Sequence, residues 1–139
     1  MNRPKSLLLA WPMLAAVLLL SACGAPEPEE QAQSLEERVE ARWQHIIDRD
    51  FDAAWPFYSP GFRETSPRAA FVDDMQRRPV SYRNARFERA ECEGDRCLVT
   101  VSVTYQVVGG ASSVRDMRVP STVEERWIRL DGDWWFAGQ

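Results

Sequence analysis

Histidine and lysine are almost missing from this sequence. Among its 139 residues, His45 is the only histidine and Lys5 the only lysine, and acidic residues outnumber basic ones by 21 to 17. An acidic chain without a basic stripe is poorly suited to nucleic acid, so we expect no nucleic-acid partner. A single histidine leaves no second ligand pair beside the cysteines. We therefore expect no metal ion and no other cofactor.

Only one long apolar run occurs, and it lies near the N-terminus. Residues 7–20 follow Arg3 and Lys5 and are interrupted only by Pro12. The run of about fourteen residues is shorter than the roughly twenty that a membrane-spanning helix needs. A charged start, a short apolar stretch and then small residues are typical of a secretory signal. We therefore predict a signal peptide rather than a permanent transmembrane helix.

Residues 20–23, Leu-Ser-Ala-Cys, resemble the lipobox of bacterial lipoproteins. The resemblance implies that residues 1–22 are removed and that Cys23 carries a diacylglyceryl lipid on its sulfur. Gly24 follows instead of aspartate, which implies anchoring in the outer membrane, facing the periplasm. The membrane would then be a partner through lipid alone, since two or more acyl chains anchor firmly. The alternative is an ordinary secreted protein in which Cys23 is a plain thiol.

The part that follows Cys23 divides into a tether and a domain. Residues 23–33 are rich in proline, glutamate and glutamine and have almost nothing to bury, which predicts a lipidated, disordered tether. Residues 34–139 are enough for one domain with a modest core.

Cys92 and Cys97 remain as an even pair once Cys23 is modified. If Gly94 and Asp95 form a two-residue hairpin turn, the two cysteines lie directly opposite each other, within bridging distance. Outside the cytoplasm such a pair is oxidised. We predict a structural disulfide, with free thiols as the alternative.

Along the domain the apolar spacing changes from helical to alternating. Ser34 and Glu37 have the spacing of a capping box. Three helices are predicted: the first starts at Ser34, the second covers residues 52–58, and the third runs from Ser66 to before Pro79. Alternation then predicts strands over 82–92, 97–108, 117–130 and 134–136. Helices followed by an antiparallel meander predict an α+β domain.

Three features resemble the nuclear transport factor 2-like superfamily. They are the segment Asp-Phe-Asp-Ala-Ala-Trp-Pro-Phe-Tyr-Ser-Pro-Gly-Phe at 50–62, the long second and third strands, and the closing hairpin at 125–135 with tryptophans around an acidic-glycine turn. The resemblance implies three N-terminal helices packed in the hollow of a strongly bent antiparallel sheet, a cone with a pocket. Convex faces of such sheets often dimerise, so a homodimer is a candidate assembly.

The superfamily contains both enzymes and binding domains, so the fold does not decide the function. Its enzymes, among them ketosteroid isomerase and scytalone dehydratase, place a base inside the cone. Glu88 and Glu125 are the weak catalytic candidates here, because both fall within strands. His45 falls beside Arg38 and Arg42 on the helical count, on a flank that we expect to be solvated or partly covered.

The direction of both carboxylates depends on strand register. A regular hairpin through the cysteine pair would turn Arg86 and Glu88 toward the apolar face, whereas a β-bulge would turn them outward and bring Ala85 and Phe87 in. We favour the bulge. Alternation alone leaves the direction of Glu125 open.

Aromatic residues are more numerous than acidic ones among the candidates for a pocket, and a pocket that they line would suit a small apolar ligand. The candidate lining residues are Trp43, Trp55, Tyr58, Phe62, Tyr105, Trp127 and Trp135. We expect non-enzymatic binding of a small hydrophobic ligand or an envelope protein, and the alternative is an isomerase, dehydratase or cyclase. A carboxylate buried against Tyr105 or Trp127 beside an open cavity would favour the enzyme.

Overall fold

Helices precede an antiparallel sheet in the described part of the chain. The structure, a computed structural model, describes residues 34–109 and 117–138, which lie within one compact unit spanning residues 31–139. The signal peptide, Cys23 and the tether predicted for residues 1–33 lie outside the described residues. In the described ranges no helix is both long and apolar enough to cross a membrane.

The first helix, α1, spans Leu35–Ile47 and begins with the predicted capping box. The Ser34 hydroxyl accepts from the Glu37 backbone N–H at 3.3 Å, and the Glu37 carboxylate accepts from the Ser34 N–H at 2.8 Å. Such reciprocal bonds satisfy two N–H groups that the helix itself leaves without partners. One face of α1 buries Val39, Trp43 and Ile46.

The region after α1 contains more helices than predicted. Helix α2 spans Phe51–Ala54, a 3₁₀ turn covers Trp55–Phe57, α3 spans Pro60–Thr65 and α4 spans Arg68–Arg77. The prediction of three N-terminal helices was therefore wrong, since the described residues form four α-helices.

The error arose at two local signals. The Ser59-Pro60-Gly61 segment starts α3, because the Ser59 hydroxyl accepts from the Phe62 N–H and proline is tolerated in a first turn. Ser66, predicted as the cap of the last helix, is instead the residue at which α3 ends, and Pro67 precedes α4 without a side-chain cap.

Four antiparallel strands follow in the order β1-β2-β3-β4, which confirms the α+β class. They are β1, Val80–Glu93; β2, Arg96–Val107; β3, Val119–Leu130; and β4, Asp133–Phe136. Strand β4 follows β3 through a turn in which Asp131 and Gly132 have positive φ angles of 54° and 89°. Tight hairpins need such backbone angles, and the Asp-Gly pair tolerates them.

The β1–β2 hairpin contains both the disulfide and the bulges. Cys92 and Cys97 are bridged, with Cα atoms 4.1 Å apart, which confirms the predicted disulfide. The register shifts between Tyr82 and Asn84 and again between Phe87 and Arg89, so Phe87 pairs with Val101. The favoured bulge is therefore present.

The core lies between the helices and one face of the sheet. Strand β2 contributes Val99, Val101 and Val103, and the neighbouring strands contribute Trp127 and Phe136. The helices contribute a second layer of buried side chains, which are Val39, Trp43, Ile46, Phe51, Ala54, Phe71 and Met75. Burial of these apolar surfaces holds the two layers together.

Candidate functional site

A cavity of about 310 Å³ opens between the helices and the covered face of the sheet. Nine of its fifteen lining residues have apolar or aromatic side chains, which are Trp43, Ile46, Tyr58, Phe62, Phe71, Met75, Tyr82, Val123 and Phe136. Asp74 and Arg78 border it as an exposed ion pair, 2.9 Å apart, and mark its solvent side. The volume is at the small end of the range for small-molecule sites.

An ion pair between α1 and β3 lies at the wall of this cavity. Arg42 Nη1 donates to Glu125 Oε1 at 2.8 Å, and the two residues are only 4% and 1% exposed. Arg42 Nη2 donates to the Tyr58 hydroxyl at 3.1 Å, and Trp127 Nε1 donates to Glu125 Oε2 at 2.9 Å. We refer to Arg42, Tyr58, Glu125 and Trp127 as the Arg42 network.

Aromatic rings hold the guanidinium and the phenol in place. The Arg42 guanidinium carbon lies 3.8 Å from the ring centroid of Phe136 and 4.9 Å from that of Tyr58. The Tyr58 ring in turn contacts Phe62 and Phe71, with centroids 4.6 and 4.7 Å away. A planar cation over aromatic faces gains attraction from the ring quadrupoles. The polar groups of the Arg42 network are therefore fixed against the cavity.

The charge of Arg42 is retained in spite of its burial. Desolvation by burial alone would lower the pKa of Arg42, but the charge of Glu125, together with the Coulombic and hydrogen-bonding contributions of Tyr58, outweighs it and raises that pKa above its ordinary value. A buried pair of this kind is weak evidence for stability, because both ions lose their hydration. A role in the site is the better reason for its presence.

The interpretation of α1 missed the burial of Arg42, which we placed with Arg38 and His45 on a solvated or partly covered flank. Arg42 follows Val39 by three residues and precedes Ile46 by four, so it lies on the apolar face of the helix. That spacing was the signal in the sequence. His45 is half-buried beside Phe57, with ring centroids 5.6 Å apart, as a partly covered flank would have it, and it does not border the cavity.

The two candidate carboxylates lie on opposite sides of the sheet. Glu125 faces the core with Val123 and Trp127, buried against the Trp127 indole beside the open cavity. Glu88 faces solvent, where it accepts from the Ser102 hydroxyl at 2.7 Å. The bulge after Phe87 is the reason, because it shifts the alternation of β1 by one residue.

Only some of the aromatic residues predicted to line the pocket border the cavity. Trp43, Tyr58 and Phe62 border the cavity, whereas Trp55, Tyr105, Trp127 and Trp135 do not. Trp55 donates from Nε1 to the Ser66 carbonyl at 3.1 Å, and Trp127 is fully buried as the hydrogen-bond donor to Glu125. Trp135 stacks on the guanidinium of Arg38.

The Arg42 network is better suited to donating hydrogen bonds to a ligand than to acting as a general base. Each oxygen of Glu125 already accepts one buried N–H, so the carboxylate is held as the counter-ion of Arg42. Over residues 34–109 and 117–138, no three side chains of His, Cys, Asp or Glu come together as metal ligands. The arrangement therefore fixes a buried polar group beside the aromatic side chains of the wall.

No protein-family profile and no curated protein matches the chain. Solved structures do resemble it. A SEC-C motif containing protein from Rhodopseudomonas palustris superposes with a TM-score of 0.59 at 17% identity, over 76% of each chain. That likeness shows a shared fold.

Two weaker likenesses are to Mycobacterium tuberculosis proteins. One, of unknown function, has a TM-score of 0.46 at 15% identity, over 72% of this chain and 66% of its own. The other, described as an LEH-like epoxide hydrolase, has a TM-score of 0.45 at 21% identity, over 73% of this chain and 80% of its own.

Proposed function

We propose that this protein binds a small, largely apolar molecule in the cavity beside the Arg42 network and does not transform it. The observation that carries the proposal is a cavity of about 310 Å³, lined by several aromatic side chains, in whose wall the buried cation of Arg42 is neutralised by Glu125. An apolar pocket with a few fixed polar groups is the usual form of a small-molecule site.

The state of Glu125 argues against turnover. A general base needs a lone pair that can reach the proton of the substrate, and it must change its own charge during the reaction. Glu125 is hydrogen-bonded through both oxygens, and protonating it would leave Arg42 as an uncompensated buried charge. Binding without chemistry places no such demand on the pair.

We further propose that the domain belongs to the nuclear transport factor 2-like superfamily and is tethered in the bacterial envelope. Helices followed by a four-stranded antiparallel sheet are consistent with that superfamily. The lipobox-like residues before Cys23 support a lipid anchor in the outer membrane, and the Cys92–Cys97 bridge supports an oxidising compartment such as the periplasm. An envelope protein partner remains the alternative occupant of the domain surface.

The anchor has a direct test. Bacteria producing the full chain are grown with an alkyne-bearing fatty acid, and the protein is then probed for the incorporated label. We expect labelling that Cys23→Ser abolishes and that a Cys92→Ser/Cys97→Ser variant retains. Label persisting in Cys23→Ser would refute attachment at that sulfur.

The cavity is tested by native mass spectrometry of the full chain extracted from its membrane. We expect a co-purified small molecule that Val123→Phe excludes, because this side chain borders the cavity and the larger ring would fill it. Leu98→Phe, at an exposed position, is the matched control and should retain the ligand. A ligand equally abundant in both variants would show that it binds elsewhere.

An isomerase, dehydratase or cyclase is the second candidate, favoured by one observation. Glu125 is a carboxylate buried against Trp127 beside the cavity, which is the arrangement that would suit a base inside the fold. Hydrogen–deuterium exchange next to the carbonyl of 2-acetylnaphthalene measures proton abstraction directly. Exchange that is catalysed by the wild type and lost in Glu125→Gln, at a temperature where tryptophan fluorescence shows the variant to be folded, would establish this function over simple binding.

A further inference from the structure

The unused hydrogen-bonding groups around the cavity indicate which ligands it accepts. Arginine has no acceptor atom, so in the contact between Arg42 Nη2 and Tyr58 Oη the phenol oxygen is the acceptor. The hydroxyl proton of Tyr58 is therefore left to be donated elsewhere. Among the side-chain hydrogen bonds of the described residues, Tyr58 Oη takes part in this one, and there it is the acceptor.

A second observation points the same way. Trp43 Nε1 and Arg42 Nε are buried N–H donors without a hydrogen-bond partner in the described part of the chain, and both residues border the cavity. Trp43 is only 5% exposed. Buried donors are nearly always paired in proteins, and an unpaired one carries a free-energy cost of its own. This wall therefore has an excess of donors.

The buried acceptors of the Arg42 network are already engaged. Both Glu125 oxygens receive N–H groups, one from Arg42 and one from Trp127, and the other carboxylate of the lining, Asp74, lies at the solvent side in its pair with Arg78. The positive charge of Arg42 is likewise balanced by the adjacent carboxylate. Beside the Arg42 network, a ligand that brings a hydrogen-bond donor competes with these two bonds, and a ligand that brings a negative charge would lose hydration without facing a net positive charge.

From these contacts we propose that the cavity selects uncharged ligands that carry an acceptor oxygen, such as a carbonyl, and that Tyr58 donates to that oxygen. This proposal deepens the proposed binding function and rests on it. The bond from Arg42 polarises the phenol and strengthens it as a donor. The aromatic residues around the Tyr58 ring keep its hydroxyl in one position.

Three naphthalene probes of nearly equal shape separate acceptor, apolar and charged ligands. They are 2-acetylnaphthalene, 2-isopropenylnaphthalene, in which a methylene group replaces the carbonyl oxygen, and 2-naphthoate. The full chain in lipid nanodiscs is dialysed to equilibrium against empty nanodiscs. Partitioning of a probe into lipid is then equal on both sides, and the excess on one side is bound to protein.

In the wild type we expect the ketone to bind more tightly than the alkene, although the alkene is the more apolar molecule, and naphthoate to bind weakest. Tyr58→Phe keeps the ring and removes the donor, so it should weaken the ketone roughly threefold to tenfold, the usual effect of one hydrogen bond. The alkene should change less than about twofold on the same argument. Tyr105→Phe removes a tyrosine hydroxyl outside the cavity lining and should change neither.

The outcomes separate the two proposals. If all three probes fail to bind, the binding function and the selectivity fail together. If probes bind but the wild type holds the alkene as tightly as the ketone, or Tyr58→Phe weakens both equally, binding stands and the role of Tyr58 is refuted. The preference between ketone and alkene is read in the wild type alone, so it decides the matter even if the variant does not fold.

Discussion

Replacing Glu125 by glutamine should destabilise the domain far more than the same loss of one charge from an exposed carboxylate would. The substitution keeps the shape of the side chain but leaves Arg42 as a buried cation without a counter-ion. It also places an amide group where Trp127 Nε1 now donates to a carboxylate oxygen. Removing one partner of a buried ion pair costs about 3–5 kcal/mol.

We take the lower end of that range, because the amide oxygen of glutamine can still accept from Arg42. A loss of about 3 kcal/mol corresponds to a fall in Tm of roughly 12–20 °C for a domain of this size. The measurement is urea and thermal unfolding of the full chain, followed by tryptophan fluorescence. The double variant Arg42→Met/Glu125→Leu should recover to within about 1 kcal/mol of the wild type, because no buried charge remains.

An exposed pair provides the control. Asp74 and Arg78 are 2.9 Å apart with half or more of each side chain exposed, so Asp74→Asn should cost less than about 0.5 kcal/mol. The reasoning is refuted if Glu125→Gln unfolds like Asp74→Asn. It is also refuted if Arg42→Met/Glu125→Leu loses as much free energy of unfolding as Arg42→Met and Glu125→Leu lose together as single variants, because the effects of coupled partners should not be additive.

Three further outcomes are expected. Reducing the Cys92–Cys97 bridge should lower the free energy of unfolding by about 2 kcal/mol, because the short loop is no longer closed in the unfolded chain. The measurement is the urea midpoint, which should fall, and an unchanged midpoint would contradict this expectation. Glu88→Gln should change stability by less than about 0.5 kcal/mol and leave probe binding intact, since the side chain faces solvent; weakened binding would show that it reaches the site. Gly132→Ala should cost about 1 kcal/mol in the same assay because φ is 89° there, whereas Gly61→Ala in α3 should not destabilise; equal losses would argue against backbone strain.

Local signals were sufficient where neighbours in sequence are also neighbours in space. The capping box at Ser34, the hairpin that joins Cys92 to Cys97 and the Asp131-Gly132 turn each depend on a few adjacent residues, and all three are present. The α+β class followed from the single change of apolar spacing along the domain. The lipidated N-terminus predicted around Cys23 is also a local signal, and it stays a prediction.

The helix count failed for a local reason as well. A serine followed by a proline can end one helical segment and begin another, and here it does both. The 3₁₀ turn ends at Phe57, just before Ser59, and Ser59 then caps α3, a helix that the sequence pattern did not predict. Residue preference alone cannot tell whether a Ser-Pro pair ends one helix or begins the next, because turns and first helical turns favour the same residues.

The site itself was decided by tertiary structure. The pattern of the sequence named Glu125 and Tyr58 as candidates, but it left the direction of Glu125 open and missed Arg42. The bulge in β1 turns Glu88 outward, and the packing of α1 on the sheet brings Arg42 to a carboxylate 83 positions away. Alternation and helical spacing report which residues share a face. Whether a charged residue on that face is buried depends on a partner from another element, and only the folded chain supplies one.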